Sequence, residues 1–391
     1  MTKLRGLWLA LPALALTLSA CGASEPAPGG FPGLLVTDSN AYLASNTHVY
    51  KLSLDTAAEQ WRFSLGSPAT VVFAGAPVRF DKTIVVAGGI GTGFIDNHVY
   101  AISDADGSEV WRFNGGEASR EYVDGVATDG KLIYAANGDG TLYALDPATL
   151  SDVNDAGVAR KSPTLVWKFS TGNRLWSRPL IDGGHVYQAS MDHKLYALDA
   201  ATGALLWTFD LAGTPIGVRP AIGNGTLYFG AFNSTFYAVE AATGKVKWQQ
   251  KLESWLWSDP LLDNGVVYAG DVQGRVFALK ADTGEKLWWF QIRDAVRAQP
   301  VVDKGTLFVA GMDTQVYALD LANLKPGADG RVEYKDSSRK WKDDVNLGRR
   351  MPSTPVARAN QLWTPLFDGD IKLHVLDQTT GAKLLSFQPA K

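Results

Sequence analysis

Cysteine is almost absent from this sequence, since Cys21 is the only one in 391 residues. An adjacent Cys-Cys pair and a c-type haem attachment motif each need two cysteines, so both are excluded. Histidine is sparse too: its five residues show no His-x-His or His-x-x-x-His spacing. No metal site is therefore expected.

A surplus of basic charge is also missing, because 37 Lys and Arg residues stand against 40 Asp and Glu residues, for a formal net charge of −3. Nucleic-acid binding needs a clustered basic face, so none is expected. The longest basic stretch, residues 337–350, is interrupted by Asp343 and Asp344. This stretch predicts a solvated loop and not a polyanion site.

Long hydrophobic runs are absent except at the N-terminus. Residues 7–18 form an apolar run that follows Lys3 and Arg5 and is too short to span a bilayer. The pattern predicts a signal peptide over residues 1–20. The run ends in Leu-Ser-Ala-Cys, which resembles the lipobox of bacterial lipoproteins and implies lipidation of Cys21. Ordinary signal cleavage beside a stray cysteine is the alternative.

The segment after the signal peptide, residues 21–33, is expected to be the lipidated cysteine and a flexible tether. Gly, Pro, Ala and Ser dominate it, so it cannot form a packed core. We therefore expect an exported chain that contacts a membrane through its N-terminal lipid. By analogy with other lipoproteins, Gly22 after the cysteine favours the outer membrane, with the protein facing the periplasm.

The rest of the chain consists of eight copies of one unit, seen most clearly as "KLYALDAATGALLWTF" at residues 194–209. Most copies have an aromatic residue and Leu early, Asp and Gly in the middle and Trp late. They recur about every 40 residues where nothing is inserted. Two short β-like runs precede each copy, separated by Gly, Asn and Asp turns. Each unit therefore predicts a four-stranded antiparallel blade.

Eight such units over residues 34–391 predict an all-β fold, an eight-bladed β-propeller of four-stranded antiparallel blades with tryptophan-docking motifs. A blade cannot bury both of its apolar faces alone, so the ring must close on itself. The first unit has its own opening strand and the last its own closing strand. This favours blades in phase with the sequence, and exchange of a terminal strand is the alternative.

The late Trp of the unit is expected to hold neighbouring blades together. In the copy at 194–209, Asp199 and Gly203 form the turn, and Trp207 lies on the outermost strand, where its N–H can reach the next blade. A residue that recurs once per blade is structural, because catalysis needs one special place. The expected docking positions are Trp61, Trp111, Trp167, Trp207, Trp248, Trp288 and Trp341.

The stretch "YALDAATGALLW" resembles the tryptophan-docking repeat of quinoprotein-type propellers, the PQQ-like repeat family. This family includes the pyrroloquinoline quinone (PQQ) dehydrogenases and the BamB-type lipoprotein scaffolds of outer-membrane β-barrel assembly. The resemblance covers the whole mature chain and implies the eight-bladed fold.

PQQ dehydrogenases carry an adjacent Cys-Cys pair, a metal held by carboxylate and amide ligands, and a catalytic Asp. This chain has no second cysteine, and its Asp residues fall mostly in hairpin turns. We therefore expect no catalytic residue, no enzyme activity and no cofactor. A PQQ-binding protein or quinoprotein oxidoreductase is the alternative.

BamB-type scaffolds share the lipid anchor, the size and the eight blades. The resemblance implies a non-catalytic cell-envelope scaffold that binds protein partners, among them a β-barrel assembly component, as a monomer within a complex. In that family a Leu-x-Leu-Arg loop docks to the barrel-insertion partner. The nearest stretch here, residues 173–180, has Leu175 and Arg178 in a similar order without reproducing the motif. A propeller lipoprotein with another kind of ligand is a third interpretation.

Function is expected where the units differ, in the segments that lead into the innermost strands. They read "RLWSRP", "PIGVRP", "WLWSDP", "AVRAQP" and "RRMPSTP", and by repeat position they surround one mouth of the central channel. Trp and Arg are typical of protein-interaction hot spots and also suit an anionic ligand; a partly solvated mouth with packing Trp residues is the structural alternative. The candidate residues are Arg174, Trp176, Arg178, Arg219, Trp255, Trp257, Arg297, Arg349 and Arg350.

Overall fold

The computed structural model describes residues 31–66, 71–89, 98–116, 120–335, 338–343 and 345–390. The predicted signal peptide, Cys21 and residues 22–30 of the predicted tether lie outside these described residues. Within them the chain is β-strand and turn, with one short 3-10 helix, Leu321–Asn323. No helix in the described part of the chain is both long and apolar enough to cross a membrane.

The strands form eight successive sheets, called blades 1 to 8. Blade 1 contains β1 (Gly33–Val36), β2 (Asn40–Ser45), β3 (His48–Ser53) and β4 (Glu59–Phe63), and blade 2 contains β5 (Phe73–Phe80), β6 (Thr83–Gly88), β7 (His98–Ser103) and β8 (Glu109–Asn114). Blade 3 contains β9 (Val126–Thr128), β10 (Ile133–Ala136), β11 (Thr141–Asp155) and β12 (Val158–Ser170), and blade 4 contains β13 (Leu180–Asp182), β14 (His185–Ala189), β15 (Lys194–Asp199) and β16 (Leu205–Asp210). Blade 5 contains β17 (Ala221–Gly223), β18 (Thr226–Gly230), β19 (Thr235–Glu240) and β20 (Val246–Lys251). Blade 6 contains β21 (Leu261–Asp263), β22 (Val266–Gly270), β23 (Arg275–Lys280) and β24 (Lys286–Gln291), with β28 (Arg331–Val332) added at its edge. Blade 7 contains β25 (Val301–Asp303), β26 (Thr306–Ala310), β27 (Gln315–Asp320) and β29 (Val345–Asn346), and blade 8 contains β30 (Val356–Arg358), β31 (Gln361–Pro365), β32 (Leu373–Asp377) and β33 (Lys383–Phe387).

In every blade the strands pair antiparallel in sequence order, from the channel outwards, and only the added β28 pairs parallel. Blade 1 is built from β1 to β4 and blade 8 from β30 to β33, so the ring closes without exchange of a terminal strand. The predicted all-β, eight-bladed propeller of four-stranded antiparallel blades is confirmed.

The third strand of a blade is buried on both faces because a neighbouring blade covers each of them. In β15, Leu195 and Ala197 pack in one core cluster with Phe229 of blade 5. The alternate residues Tyr196 and Leu198 pack in another cluster with blade 3. The hydrophobic core is therefore divided into layers between blades.

Trp207 shows how two blades are joined at the outside of the ring. Its indole Nε1–H donates a hydrogen bond to the carbonyl of Ala241 in blade 5, at 3.0 Å. The ring also lies against Gly244, whose φ is 70°. A Cβ at Gly244 would be 2.6 Å from the ring, so this turn needs glycine both for its backbone conformation and for the approach of the indole.

We call this pair of contacts a clasp, and the contact between two neighbouring blades a seam. Five seams have a clasp, in which a Trp donates to a carbonyl of the next blade at 2.8–3.0 Å. At each of these seams, a Cβ on the turn glycine would come within 3.0 Å of the ring. The pairs of Trp and Gly are Trp61 and Gly107, Trp167 and Gly203, Trp207 and Gly244, Trp248 and Gly284, and Trp341 and Gly381.

The seam between blades 2 and 3 is closed by an insertion. The turn of blade 3 reads "DPATL", without glycine, and β11 and β12 extend beyond it as a long hairpin. At its tip, Asp155 accepts a hydrogen bond from Arg112 of blade 2 at 3.2 Å and lies 3.4 Å from His98. Trp111 is buried at this seam, but its N–H makes no bond to blade 3 within the described residues.

The seam between blades 6 and 7 is closed in a similar way. The turn of blade 7 reads "DLANL", and the chain then runs back to blade 6, where β28 pairs in parallel with Trp289 and Phe290 of β24. Val332 of β28 is buried in the core of the two blades. Trp288 is also buried here, and no clasp hydrogen bond from it is found in the described ranges.

The closing seam, between blades 8 and 1, shows neither a clasp nor an insertion in the described part of the chain. Leu385 stands at the Trp position, opposite Val375, and Ala57, with φ of 53°, stands at the glycine position. A groove of about 440 Å³ runs beside them, and Arg62 crosses it to donate to the carbonyl of Ala390 at 3.3 Å. Side-chain packing and a few polar contacts therefore complete the ring.

The basic stretch at 337–350 differs from the predicted solvated loop. Trp341 is buried and clasps blade 8, and Ser338 is buried beside the edge of blade 7. The next residues form β29, a two-residue outer strand. Because Trp341 must reach blade 8, part of this polar segment lies against the core while its Lys side chains face solvent.

Candidate partner-binding mouth

A cavity of about 880 Å³ occupies the central channel on the side where the innermost strands begin. Segments from the start of every blade except blade 5, which contributes only Gly217, form most of its wall. Five of the nine predicted residues line it directly, and they are Arg174, Trp176, Arg178, Trp257 and Arg297. The other four lie next to it, as described below.

The lead-in segments are extended, so alternate side chains point to opposite sides. In "RLWSRP", Leu175 and Ser177 are buried within the blade, whereas Arg174, Trp176 and Arg178 line the cavity. The period of two therefore places Arg and Trp side chains in successive layers down the channel.

The outermost layer carries the largest exposed aromatic surface of the mouth. Trp255 is 53% exposed and stacks on Phe232, with ring centroids 5.8 Å apart. Phe232 in turn contacts Trp257 at 5.4 Å. The three rings form a continuous path from solvent into the cavity.

The middle layer combines aromatic rings with a cation. The rings of Trp176 and Trp257 are nearly parallel, at 18°, with centroids 6.4 Å apart. The guanidinium of Arg297 lies 4.5 Å from the Trp257 ring centroid, which is a cation–π distance. These side chains hold one another in place before any ligand or partner arrives.

The innermost layer is a row of four charged residues on consecutive blades: Asp124, Arg178, Arg219 and Asp259. The main-chain N–H of Arg178 donates to Asp124 at 3.2 Å, and that of Arg219 donates to Asp259 at 2.8 Å. Burial, together with the charge of Asp124, raises the pKa of Asp259 to about 6. Burial and the charge of Arg178 lower the pKa of Arg219.

Two further cations lie at the edge of the mouth. Arg349 and Arg350 approach Asp368 at 3.9 and 3.7 Å, and Arg350 also lies 5.6 Å from the ring centroid of Phe367. All three charged side chains are at least one-third exposed, so these ion pairs are weak.

The N-terminal end of the described chain enters at this same mouth. The ring of Phe31 lies 5.9 Å from that of Phe367 and 6.0 Å from the Arg297 guanidinium. Its carbonyl accepts a hydrogen bond from the N–H of Gly75 at 3.1 Å. The polypeptide that precedes blade 1 therefore comes from the mouth side of the ring.

Sequence reasoning missed four residues of the mouth. Phe232 and Phe367 lie in loops between the second and third strands of their blades, and Phe31 precedes the first blade. Glu121 is 4% exposed and lies 3.7 Å from Arg174. The departure of "EYVDG" from the Arg/Trp pattern of the other lead-in segments was the only sequence signal for it.

Comparison with known proteins identifies the family. The family model described as outer membrane protein assembly factor BamB matches residues 45–153, 150–254, 192–323 and 253–388, which together cover most of the chain. The chain belongs to the BamB family. The BamB model spans all eight blades from β2 onwards, so membership does not rest on one repeat.

A curated BamB, the outer membrane protein assembly factor of Burkholderia pseudomallei (strain K96243), is 25% identical over 158 residues. That alignment covers 40% of this chain and 35% of the relative, so it spans about a third of that BamB's length. Its role in assembly is a property of that protein.

Three solved structures share the fold. BamB from Moraxella catarrhalis has a TM-score of 0.67 at 19% identity, covering 88% of this chain and 95% of its own. The computationally designed Ika8 protein has a TM-score of 0.67 at 13% identity, covering 89% and 96%. A europium-containing methanol dehydrogenase has a TM-score of 0.66 at 12% identity, covering 89% and 82%. A BamB and a dehydrogenase thus have the same fold. Function therefore has to be inferred from the residues of the mouth and not from the fold.

Proposed function

We propose that this chain is a non-catalytic cell-envelope lipoprotein, lipidated at Cys21, that acts as a protein-interaction scaffold in outer-membrane protein assembly. Membership of the BamB family supports the role. The implied location is the outer membrane, facing the periplasm, with the propeller over residues 34–391 as the working domain.

The observation that carries the proposal is the aromatic and cationic mouth. Trp255 is 53% exposed although Trp is costly to leave in water, and Phe232 holds its ring in a fixed orientation. Arg174, which lines the cavity of the same mouth, is 46% exposed. Preoriented Trp and exposed Arg at one mouth are the composition of interface hot spots, and here the combination occurs at one place and not once per blade.

The partner we propose is a periplasmic domain of a β-barrel assembly component. Trp255 and Phe232 supply an apolar centre, and Arg174, Arg349 and Arg350 supply a cationic rim that would pair with acidic side chains. We propose that one copy of this chain binds within such a complex.

A photo-crosslinking amino acid at position 255, used in intact cells, tests the proposal. We expect a crosslinked product with a β-barrel assembly component, and we expect Trp255→Ala to reduce recovery of that component at least tenfold. Leu206→Ala, on the exposed outer strand of blade 4, is the matched control and leaves recovery unchanged. Absence of an assembly component from the products, or equal recovery with Trp255→Ala, would contradict the proposal.

The dehydrogenase neighbour raises the question of a quinone and metal centre. In the described part of the chain, no group of three or more His, Cys, Asp or Glu side chains is arranged to hold a metal ion. The sequence also lacks the adjacent cysteine pair of that enzyme class. The residues present do not fit such a centre, and no quinone chemistry is assigned to them.

A further inference from the structure

The innermost layer of the channel contains two guanidinium groups side by side. Arg178 of blade 4 and Arg219 of blade 5 occupy the same repeat position, directly before Pro179 and Pro220. The Nε atom of each is buried and has no hydrogen-bond partner among the described residues. The two charges are near neighbours, because the charge of Arg178, after burial, lowers the pKa of Arg219.

The nearby carboxylates do not neutralise this pair directly. Asp124 and Asp259 stand on either side of it, and each accepts a hydrogen bond from the main-chain N–H of an Arg. No ion pair between these carboxylates and the two guanidinium groups occurs within 4.0 Å in the described chain. Arg178 lines the cavity and Arg219 occupies the same position on the next blade, and in the described part of the chain the Nε–H of each meets no protein acceptor.

Such an arrangement is costly unless an acceptor arrives. A buried N–H donor without a partner destabilises a protein, and a buried charge does so more strongly. The planar fork of arginine matches the geometry of carboxylate and phosphate oxygens, and two forks side by side can hold one oxyanion between them.

We propose that Arg178 and Arg219 form an oxyanion-binding site that takes the carboxylate or phosphate group of a small acid entering through the mouth. The cavity above it, of about 880 Å³, lies within the usual range for small-molecule sites. The walls are already ordered, because Trp176 and Trp257 stack on each other and Arg297 lies on Trp257. Exposed Arg174 near the opening attracts anions towards the cavity.

This site is separate from the proposed docking of a partner. Trp255 and Phe232 lie at the rim, where a protein surface can contact them. Arg178 and Arg219 lie deeper in the channel, two residues before β13 and β17 begin. An acidic side chain of a docked protein carries the same chemistry as a free acid, so the experiment must distinguish these two sources.

Isothermal titration of the purified full chain at low salt, with citrate and with inorganic phosphate as probes, tests the site. We expect binding of at least one probe with a Kd below 1 mM, and weakening as sodium chloride is raised. Arg178→Gln and Arg219→Gln should each lower the affinity at least tenfold. Arg62→Gln, on the outer rim where Arg62 pairs with Glu59, is the control and should bind as the parent does.

Two further measurements keep the result interpretable. Arg178→Lys keeps the charge and loses the fork, so we expect intermediate affinity with an unchanged unfolding temperature. A glutamate-rich peptide is titrated in parallel. Binding of the peptide alone, absence of heat with both probes at 10 mM, or unchanged affinity in both Gln variants would overturn the small-acid site. Recovery of the partner through position 255 does not depend on any of these outcomes, so failure of one proposal can be told from failure of the other.

Discussion

The seam between blades 4 and 5 and the seam between blades 8 and 1 have the same backbone design but different closures. At the first, Trp207 lies on Gly244 and donates to Ala241. At the second, Leu385 and Ala57 occupy the equivalent positions, and there is no indole hydrogen bond. At this seam both the Trp and the turn glycine are missing, and a Cβ at the turn lies where an indole ring would approach. The clasp needs both residues, because Trp111 and Trp288, at seams without the turn glycine, are buried but make no clasp bond within the described residues.

The two insertion seams show a second solution to the same problem. Blades 3 and 7 also lack the turn glycine, but each sends an insertion back over the preceding blade. In one case a hairpin tip forms ion pairs, and in the other a strand extends the sheet. Insertion and clasp are alternatives at a seam, and the closing seam has neither.

The largest expected effect is the loss of a clasp. Trp207→Ala removes a large ring and its hydrogen bond, and we expect the free energy of unfolding to fall by about 3 kcal/mol. Urea denaturation followed by circular dichroism measures it. Recovery of a partner through position 255 should be unchanged under conditions where the variant is folded.

Phenylalanine variants isolate the hydrogen bond. Trp207→Phe removes the indole donor from the carbonyl of Ala241 and leaves it only the longer bond from the Tyr187 hydroxyl at 3.3 Å, whereas Trp111→Phe at an insertion seam removes no clasp bond. We expect the first to cost about 1 kcal/mol more than the second. Equal costs would mean that ring burial alone, and not the clasp, joins the blades.

The inner end of a seam supplies the next prediction. Asp259 of blade 6 accepts from Arg219 of blade 5, and its pKa of about 6 lies above the ordinary value of 3.8. The folded state holds the proton of the Asp259 carboxyl group more tightly than the unfolded chain does. The contribution of this group to the free energy of unfolding is therefore full below pH 4 and is lost as pH rises through 6. Asp259→Asn should therefore raise stability at pH 8 by about 2 kcal/mol and have little effect at pH 4.

Thermal unfolding of parent and Asp259→Asn across pH 4 to 8 measures this difference. Asparagine keeps the oxygen that accepts the Arg219 N–H, so the seam contact itself is preserved. A constant difference between the two proteins at all pH values would show that the carboxyl group does not titrate differently on folding.

The insertion seam between blades 2 and 3 predicts a smaller effect. Asp155→Asn removes the charge that faces Arg112 and His98, and we expect a loss of about 1 kcal/mol because the groups are only partly buried. Asp152→Asn, on the same hairpin but 79% exposed and paired with Lys161, is the control and should change stability by less than about 0.5 kcal/mol. Equal effects would indicate that the hairpin tip does not secure blade 2.

The smallest expected effect is a gain at the closing seam. Leu385→Trp combined with Ala57→Gly should create a sixth clasp and add roughly 0.5–1 kcal/mol. Leu385→Trp alone should give no gain, because the Cβ of Ala57 lies where the ring must approach. A double-mutant cycle measures the coupling, and additive effects would contradict the two-residue description.

The repeat made the number of blades and the order of strands predictable from the sequence. Repeat position also indicated that the segments carrying Arg174, Trp176 and Arg178 surround one mouth of the channel. The closure of individual seams was harder to predict. The turns "DPATL" and "DLANL" lack glycine, but nothing local in the sequence showed that the inserted residues fold back onto the preceding blade, because that depends on contacts with another sheet.

The mouth was predicted only in part for the same reason. Phe31, Phe232 and Phe367 come from a chain end and from loops that vary in sequence between blades, and they meet only after the ring has closed. The row of Asp124, Arg178, Arg219 and Asp259 likewise depends on the angular order of blades 3 to 6. The sequence of one segment shows which charged residues it contains, but it does not show which charged residues of other blades will lie beside them.

The position of Phe31 at the mouth limits how far the mouth can lie from the lipid proposed at Cys21. Phe31 follows Cys21 by ten positions, and ten residues of fully extended chain span at most about 35 Å. With lipid at Cys21, as proposed, the mouth would stay within that distance of the bilayer surface. A partner that binds the mouth would then be confined to the narrow layer of periplasm next to the membrane.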